Sequence, residues 1–266
     1  MKRKRVRRPR LAALTHISFL PSLFTLLNLF LGYMALIHIV GPRQNLKTAI
    51  YYLTASVIMD GIDGTIARLT RTESNFGVQL DSLVDAVTFG LVTSMLVFRW
   101  GFQFGFTQAG SIVSFVFLSA GLIRLARFNV FKEAQVVPAN VFIGLPIPIA
   151  AMTVCSAVLI FERPQSPGGA LLFSLYVLVV SLLMISNVKY RTVKKLAFRN
   201  TLPILFLLAF VVGCLIIFPD TTIPILTIIY VLSPLVVLAL KHKPRSTEAA
   251  GDSHRAERGP ETKKGD

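Results

Sequence analysis

Charged residues are scarce in this 266-residue chain. They make up 15% of the sequence, against roughly a quarter in a soluble domain, whereas hydrophobic residues make up 53% and the mean hydropathy is +0.65. Cysteine and histidine are also scarce, with two and four residues that form no CxxC or Cys/His group. We expect Cys155 and Cys214 to be inert packing residues and the histidines to form no metal site. This composition excludes a soluble enzyme, a disulfide scaffold and a disordered protein.

Long hydrophobic runs fill most of the chain. Apolar stretches of about 20 residues recur, and each is long enough to cross a bilayer as a helix. The pattern predicts an all-α, polytopic integral membrane protein with about eight transmembrane helices. The eight predicted spans are 20–40, 47–70, 77–98, 109–128, 141–161, 169–186, 202–218 and 223–240. Pro146 and Pro148, just after Gly144, predict a kink or a break in the fifth span.

The basic residues predict the orientation of these spans. The formal net charge is +15, from 28 Lys and Arg residues against 13 Asp and Glu residues. With a cytoplasmic N-terminus, 24 of the 28 basic residues fall on the cytoplasmic side of the membrane. We therefore expect both termini in the cytoplasm, and basic surfaces that face anionic lipid rather than nucleic acid.

The charge distribution also divides the chain into three parts. Residues 1–17 are predicted to form a basic cytoplasmic segment, which is either a topology signal or a contact for anionic lipid. Residues 18–241 are predicted to form the membrane domain. Residues 242–266 mix both charges with Gly and Pro and contain few apolar groups, which predicts a disordered cytoplasmic tail.

Four acidic residues lie inside or at the edge of the second and third spans. They are Asp60, Asp63, Asp81 and Asp85. Their spacings place each pair on one helix face, and the short turn between the spans makes the two helices antiparallel neighbours. Facing carboxylates would repel one another and bind protons unless divalent cations neutralise them. An all-oxygen ligand set favours Mg²⁺, Mn²⁺ or Ca²⁺, and two bridged ions are the usual clamp for phosphate displacement.

Small and basic residues near the acids suit a phosphate ligand. Gly64, Ala67 and Gly77 leave space on the acidic faces, although small residues also serve ordinary helix packing. Arg68, at the cytoplasmic end of the second span, offers a guanidinium to a phosphate. The neighbouring acids favour the binding interpretation over packing.

The acids and these neighbours form one spaced motif, which resembles the signature of the CDP-alcohol phosphotransferases at every fixed position. It reads Asp60-x₂-Asp63-Gly64-x₂-Ala67-Arg68-x₈-Gly77-x₃-Asp81-x₃-Asp85. The resemblance implies that Asp60, Asp63 and Asp81 bind two divalent cations, Mg²⁺ or Mn²⁺. It implies that Asp85 contacts one metal ion and is the base that activates the acceptor hydroxyl. It also implies a CDP site lined by Gly64, Ala67, Arg68 and Gly77.

Residues outside the motif narrow the resemblance to bacterial and archaeal phosphatidylserine synthases. The strings LPSLFTLLNLFLGYMA, DSLVDAVTFG and RLARFNV are similar to theirs, and the likeness covers residues 18–150. The chain departs at Pro21-Ser22, where such sequences commonly have Pro-Asn, so any contact of that asparagine is absent. The resemblance implies transfer of a phosphatidyl group from CDP-diacylglycerol to L-serine with release of CMP. It further implies a homodimer among the lipids of the cytoplasmic (inner) membrane, with a site that faces the cytoplasm.

Five further polar residues are candidates for binding serine or the lipid phosphate. Arg124 and Arg127 share a helix face at the end of the fourth span, and Asn129 lies just beyond them. The two arginines either anchor the helix at the cytoplasmic surface or form a cationic pocket. Thr25 and Asn28 share a face of the first span, where they either reach the nucleotide or serine, or form hydrogen bonds in helix packing.

Two alternatives stay open on the sequence alone. The same reaction with glycerol 3-phosphate, inositol or inositol phosphate as the acceptor is compatible with the basic residues near the site. A cation transporter would instead use the intramembrane acids as ion ligands. A transporter predicts acids near the bilayer midplane with access from both sides, whereas Arg68 and Arg71 place this cluster toward the cytoplasm.

Overall fold

The computed structural model describes residues 19–70, 75–102, 106–133, 141–191 and 201–241. This part of the chain is almost entirely helical, as the hydropathy predicts, and a helix occupies all or most of every predicted span. The predicted basic segment 1–17 and the predicted tail 242–266 lie outside the described residues.

Nine α-helices and one π-helical segment make up the described helical structure. The first four helices are α1 (Phe19–Val40), α2 (Leu46–Thr70), α3 (Asn75–Asp85) and α4 (Thr93–Gly101). The π-helical segment (Ala86–Val92) joins α3 to α4 without a break, and we call residues 75–101 together the α3–α4 helix. The later helices are α5 (Thr107–Glu133), α6 (Ile147–Ile160), α7 (Pro167–Ile185), α8 (Thr201–Ile217) and α9 (Pro219–Lys241).

Four helices within the described residues are long and apolar enough to cross a membrane. They cover Leu23–Val40, Phe76–Gly101, Thr107–Phe131 and Pro167–Ile185. Large apolar side chains point outward from them, as at Leu171, which is 72% exposed. Such a surface is stable in lipid and unfavourable in water. The chain is therefore an integral membrane protein.

Close packing of α1 against the π-helical segment fixes the centre of the fold. A Cβ atom at Gly32 would lie 2.6 Å from the Thr88 hydroxyl oxygen, so the two helices meet where only glycine fits. Phe89, the next residue, is fully buried in the core. Cys155 of α6 is fully buried in the same core as a free thiol, in agreement with a packing role.

The fifth predicted span is not helical throughout. Residues Val141–Ile143 form a strand, β1, which pairs antiparallel with β2 (Lys189–Arg191), and α6 begins only at Ile147. Gly144 has a φ of 78°, a conformation that favours glycine, and Pro146 is the N-cap of α6. The break near the prolines is confirmed, whereas the helical start at residue 141 was wrong. The partner strand lies beyond α7, so no local pattern indicates the pairing.

Candidate active site

Three acidic side chains from two helices meet at one point. Asp60 of α2 and Asp81 and Asp85 of α3 each offer a carboxylate oxygen, and these atoms all lie within 4.8 Å of one another. Asp85 is buried, with 9% of the residue exposed, whereas Asp60 and Asp81 are partly buried. The two acidic faces therefore meet as the spacing and the short turn predict.

The donor atoms of this acidic cluster fit a divalent cation. Two oxygens that each lie about 2.4 Å from one ion are at most about 4.8 Å apart, so the observed separations allow a shared ion. The ligands are all carboxylates, which favour hard cations. Three negative charges this close together also repel one another, and a bound cation removes that repulsion. Asp60, Asp81 and Asp85 can therefore hold a metal ion.

The remaining residues of the motif lie on α2 and α3, the same helices that carry the acidic cluster. Helix α2 continues through residues 63, 67 and 68, but the side chains of Asp63, Ala67 and Arg68 lie outside the described part of the structure. A Cβ atom built on Gly64 would meet no atom of the described residues within 4 Å. Because Gly64 follows Asp60 by about one turn, the described residues leave space on the acidic face of α2. Gly77 lies one turn before Asp81 in α3 and is partly buried.

A buried arginine lies beside the acidic cluster. Arg124 of α5 is 6% exposed, and its guanidinium interacts electrostatically with Asp85 and Asp60. The guanidinium carbon lies 5.3 Å from the centre of the Phe128 ring. The Arg124 Nε atom is buried without a hydrogen-bond partner among the described residues. A buried donor without a partner is costly, so Arg124 is suited to bind an anionic ligand.

Arg127 is bound to the protein itself. Its Nη1 atom donates to the Ile185 carbonyl at 2.6 Å, and its Nη2 atom donates to the Ser186 carbonyl at 3.1 Å. The Nη2 atom also donates to the carbonyls of Ile143 at 3.4 Å and Met184 at 3.3 Å. These bonds join α5 to β1 and to the C-terminus of α7, where a cation is favourable. Arg127 therefore stabilises the contact of α5 with β1 and with the end of α7.

Replacement of Arg127 by alanine is expected to destabilise the fold. The carbonyls that end α7 would lose charged donors, which costs about 3 kcal/mol. Thermal unfolding of the purified protein in detergent measures the loss, with Arg43→Ala as the control because Arg43 is an exposed loop residue. An unchanged melting temperature together with a higher KM for serine would instead place Arg127 in the substrate site.

Asn129 joins α5 to the helix that carries two of the acids. Its Nδ2 atom donates to the Ser82 hydroxyl at 3.0 Å. Ser82 follows Asp81 directly, so the bond fixes α3 against α5 beside the cluster. The contact explains the partial burial of Asn129 and gives it a positioning role. A contact of Asn129 with substrate stays a prediction.

The polar residues of α1 lie against the other acid-bearing helix. Asn28 is fully buried, and its side-chain oxygen accepts a hydrogen bond from the Ser56 hydroxyl of α2. Ser56 precedes Asp60 by about one turn, so this bond fixes α1 next to the cluster. Thr25 is also buried, at 5% exposure. Helix packing therefore accounts for Asn28, and a contact of either residue with nucleotide or serine stays a prediction.

The helix changes its winding directly after Asp85. The seven residues Ala86–Val92 are π-helical, a conformation that is frequent at functional sites. Thr88 lies inside this segment and Thr93 follows it, and both buried hydroxyls have no hydrogen-bond partner in the described residues. Sequence reasoning missed this feature, because the letters AVTFGLV are typical of any apolar helix.

The fold and the cluster define a class of protein: an integral membrane protein in which two consecutive helices present carboxylates for a divalent cation. Comparison of the sequence with protein families is more specific, because residues 18–185 match the CDP-alcohol phosphatidyltransferase family. The chain belongs to this family, whose enzymes use a divalent metal ion. The predicted family resemblance is confirmed.

Several curated relatives bear the same name, CDP-diacylglycerol–serine O-phosphatidyltransferase. The chain is 37% identical to that of Helicobacter pylori over 191 residues, which cover 71% of this chain and 78% of the relative. It is 34% identical to that of Methanocaldococcus jannaschii over 166 residues, 62% of this chain and 70% of the relative. It is 29% identical to that of Bacillus subtilis over 184 residues, 69% of this chain and 96% of the relative.

Proposed function

We propose that this protein transfers the phosphatidyl group of CDP-diacylglycerol to the hydroxyl of L-serine, giving phosphatidylserine and CMP. The observation that carries the proposal is the cluster of Asp60, Asp81 and Asp85, in a chain that is similar to serine phosphatidyltransferases along most of its length. A membrane-embedded site suits a donor whose acyl chains stay in lipid. The transporter alternative is set aside, since the chain belongs to a family of transferases.

The proposed site holds two divalent cations, Mg²⁺ or Mn²⁺. Asp60, Asp63, Asp81 and Asp85 are the ligands. When bound, the ions hold the phosphoryl oxygens and neutralise the charge that develops as CMP leaves. The space beside Gly64 supports a diphosphate at this place. The CDP moiety is bound by Gly64, Ala67, Arg68 and Gly77.

Asp85 and Arg124 act on the acceptor in this proposal. Asp85 takes the proton of the serine hydroxyl, and the serine oxygen forms a bond to the phosphorus that carries diacylglycerol. The bond from that phosphorus to the bridging oxygen breaks, and its electron pair leaves with CMP. Arg124 binds the serine carboxylate, which its burial and its unused donor support. We propose direct attack, because the other acids are occupied as metal ligands.

We also propose the topology and the assembly that the sequence predicts. Eight helices cross the cytoplasmic membrane, both termini and the site face the cytoplasm, and the protein is a homodimer. The charge bias, with 24 of 28 basic residues on one side, supports the orientation. Reporter fusions at each terminus test the orientation, and light scattering of the detergent-solubilised protein tests the dimer. A reporter active outside the membrane would overturn the topology.

The proposed activity is tested by CMP release. Purified protein receives CDP-diacylglycerol, Mn²⁺ and one acceptor at a time: L-serine, glycerol 3-phosphate or inositol. We expect release with L-serine alone. Release with another acceptor alone would keep the acidic cluster and overturn the assignment of serine. A protein that binds CDP and releases no CMP with any acceptor would overturn the proposed reaction.

Loss of one metal ligand is expected to raise the metal requirement. Asp60→Ala or Asp81→Ala removes a carboxylate from the cluster, so the Mn²⁺ concentration for half-maximal activity should rise about tenfold or more. Titration of CMP release with Mn²⁺ measures this shift. Glu162→Ala is the control, because Glu162 is an exposed residue between α6 and α7. An unchanged Mn²⁺ requirement in both cluster variants would contradict the assigned ligands.

A further inference from the structure

Helix α9 lies beyond the part of the chain that matches the family, yet it is firmly attached to the fold. Its Asp220 carboxylate accepts hydrogen bonds from the Lys47 ammonium at 3.0 Å and from the Tyr51 hydroxyl at 2.8 Å. Farther along, the hydroxyls of Thr227 and Ser156 lie 2.8 Å apart and are buried. These contacts fix α9 against α2 and α6.

One turn after Thr227, the side chain of Tyr230 stacks on Tyr190 of β2. The ring centres are 5.6 Å apart and the ring planes differ by 2°. Tyr190 is 1% exposed, and its strand pairs with β1. The strand β1 is bound to α5 through Arg127, which donates to the Ile143 carbonyl at 3.4 Å. The tyrosine pair is therefore held in place relative to α5.

Tyr230 and the acidic cluster are both attached to α5, the helix that carries Arg124. Tyr190 pairs with Phe142 of β1, next to the Ile143 carbonyl that Arg127 binds, and the hydrogen bond from Asn129 to Ser82 holds α5 against the helix that carries Asp85. Arg124 precedes Arg127 by about one turn, so the bonds that hold β1 to α5 also hold the tyrosine pair near Arg124. Asp85, Arg124 and Tyr230, from three separate parts of the chain, are thus brought to the same region of the fold.

We propose that Tyr230 is a specificity-determining residue of the acceptor site and that its phenol oxygen binds the ammonium group of serine. This inference rests on the proposed function. L-serine has three polar groups, and the site offers Asp85 for the hydroxyl, Arg124 for the carboxylate and Tyr230 for the ammonium. A phenol oxygen accepts a hydrogen bond, and an aromatic ring also attracts a cation. Inositol and glycerol 3-phosphate have no ammonium, so this third contact selects an amino acid.

The test compares L-serine with 3-hydroxypropanoate, which retains the hydroxyl and the carboxylate but has no ammonium group. Tyr230→Phe keeps the ring and its stacking and removes only the oxygen. We expect the KM for serine to rise about tenfold or more, while kcat/KM for 3-hydroxypropanoate changes by less than about twofold. The KM for CDP-diacylglycerol should stay unchanged. Tyr33→Phe is the matched control, because Tyr33 is an exposed residue of α1.

A structural role for Tyr230 would lower activity with both acceptors equally. Equal losses, or an unchanged KM for serine in Tyr230→Phe, would overturn the inference. The wild-type protein provides a second test that needs no variant. Its kcat/KM should be at least about tenfold higher for serine than for 3-hydroxypropanoate. A ratio near one would overturn the inferred contact with the ammonium group. No CMP release with serine from the wild type would overturn the proposed function instead, so the two failures are distinguishable.

Discussion

Replacement of Asp85 by asparagine is expected to lower kcat about 1,000-fold while CDP binding survives. The amide is nearly isosteric with the carboxylate but does not take a proton from the acceptor hydroxyl. Asp60 and Asp81, the other proposed metal ligands of the cluster, remain, so the nucleotide should keep most of its contacts. The loss should therefore appear in turnover rather than in the affinity for CDP.

The measurement for Asp85 pairs CMP release with calorimetric titration of CDP in the presence of Mn²⁺. Glu162→Gln is the matched control, because it makes the same change of acid to amide at an exposed residue between α6 and α7. Wild-type turnover in Asp85→Asn would remove the assigned base. Loss of CDP binding along with turnover would make Asp85 mainly a metal ligand.

Removal of divalent cations by EDTA is expected to lower CMP release at least about 100-fold, because the metal ions supply several kcal/mol of charge stabilisation to phosphoryl transfer. Without them, the carboxylates of the cluster repel the diphosphate of the donor. The effect should be reversible, since the four helices long enough to span the membrane do not depend on the metal for their apolar burial.

The control for chelation is EDTA already saturated with Mg²⁺ or Mn²⁺, which separates metal removal from direct inhibition. Excess Mn²⁺ should restore the activity of the chelated protein. CDP binding, measured on the same samples, should weaken with chelation and return with Mn²⁺. Full activity in metal-free buffer would contradict the metal site as a whole.

The sequence predicts well those parts of the site that depend on residues close together in the chain. Asp60, Asp81 and Asp85 lie on helices that are only four residues apart in the sequence, so their spacing determines that they meet. Hydropathy likewise indicates the helices, because each must be apolar over its length to lie in lipid. Both signals depend on residues close together in the chain.

The contacts that the sequence does not predict are long-range. Arg124 and Arg127 have the same chemistry and lie one turn apart, yet Arg124 is buried with an unpaired Nε atom among the described residues, whereas Arg127 binds the end of α7. Their difference depends on where β1 and α7 lie, which no pattern within RLARFNV indicates. The sequence pattern does not indicate a role for Tyr230 for the same reason, because its stacking partner Tyr190 belongs to a strand that is distant in the sequence.

The π-helical segment lies between the two functional parts of the α3–α4 helix. Asp81 and Asp85 come before it, and the buried residues of α4 come after it. A π turn holds more residues than an α turn, so the chain turns through a smaller angle per residue across Ala86–Val92. An α-helix turns by about 100° per residue, so regular α-helical winding of the same seven residues would present a different face of α4 relative to Asp81 and Asp85. Either the acids or the buried face of α4 would then point the wrong way. The π-helical segment therefore sets the angle between the acidic face of α3 and the buried face of α4 within one continuous helix. A regular α-helix would not give the same angle.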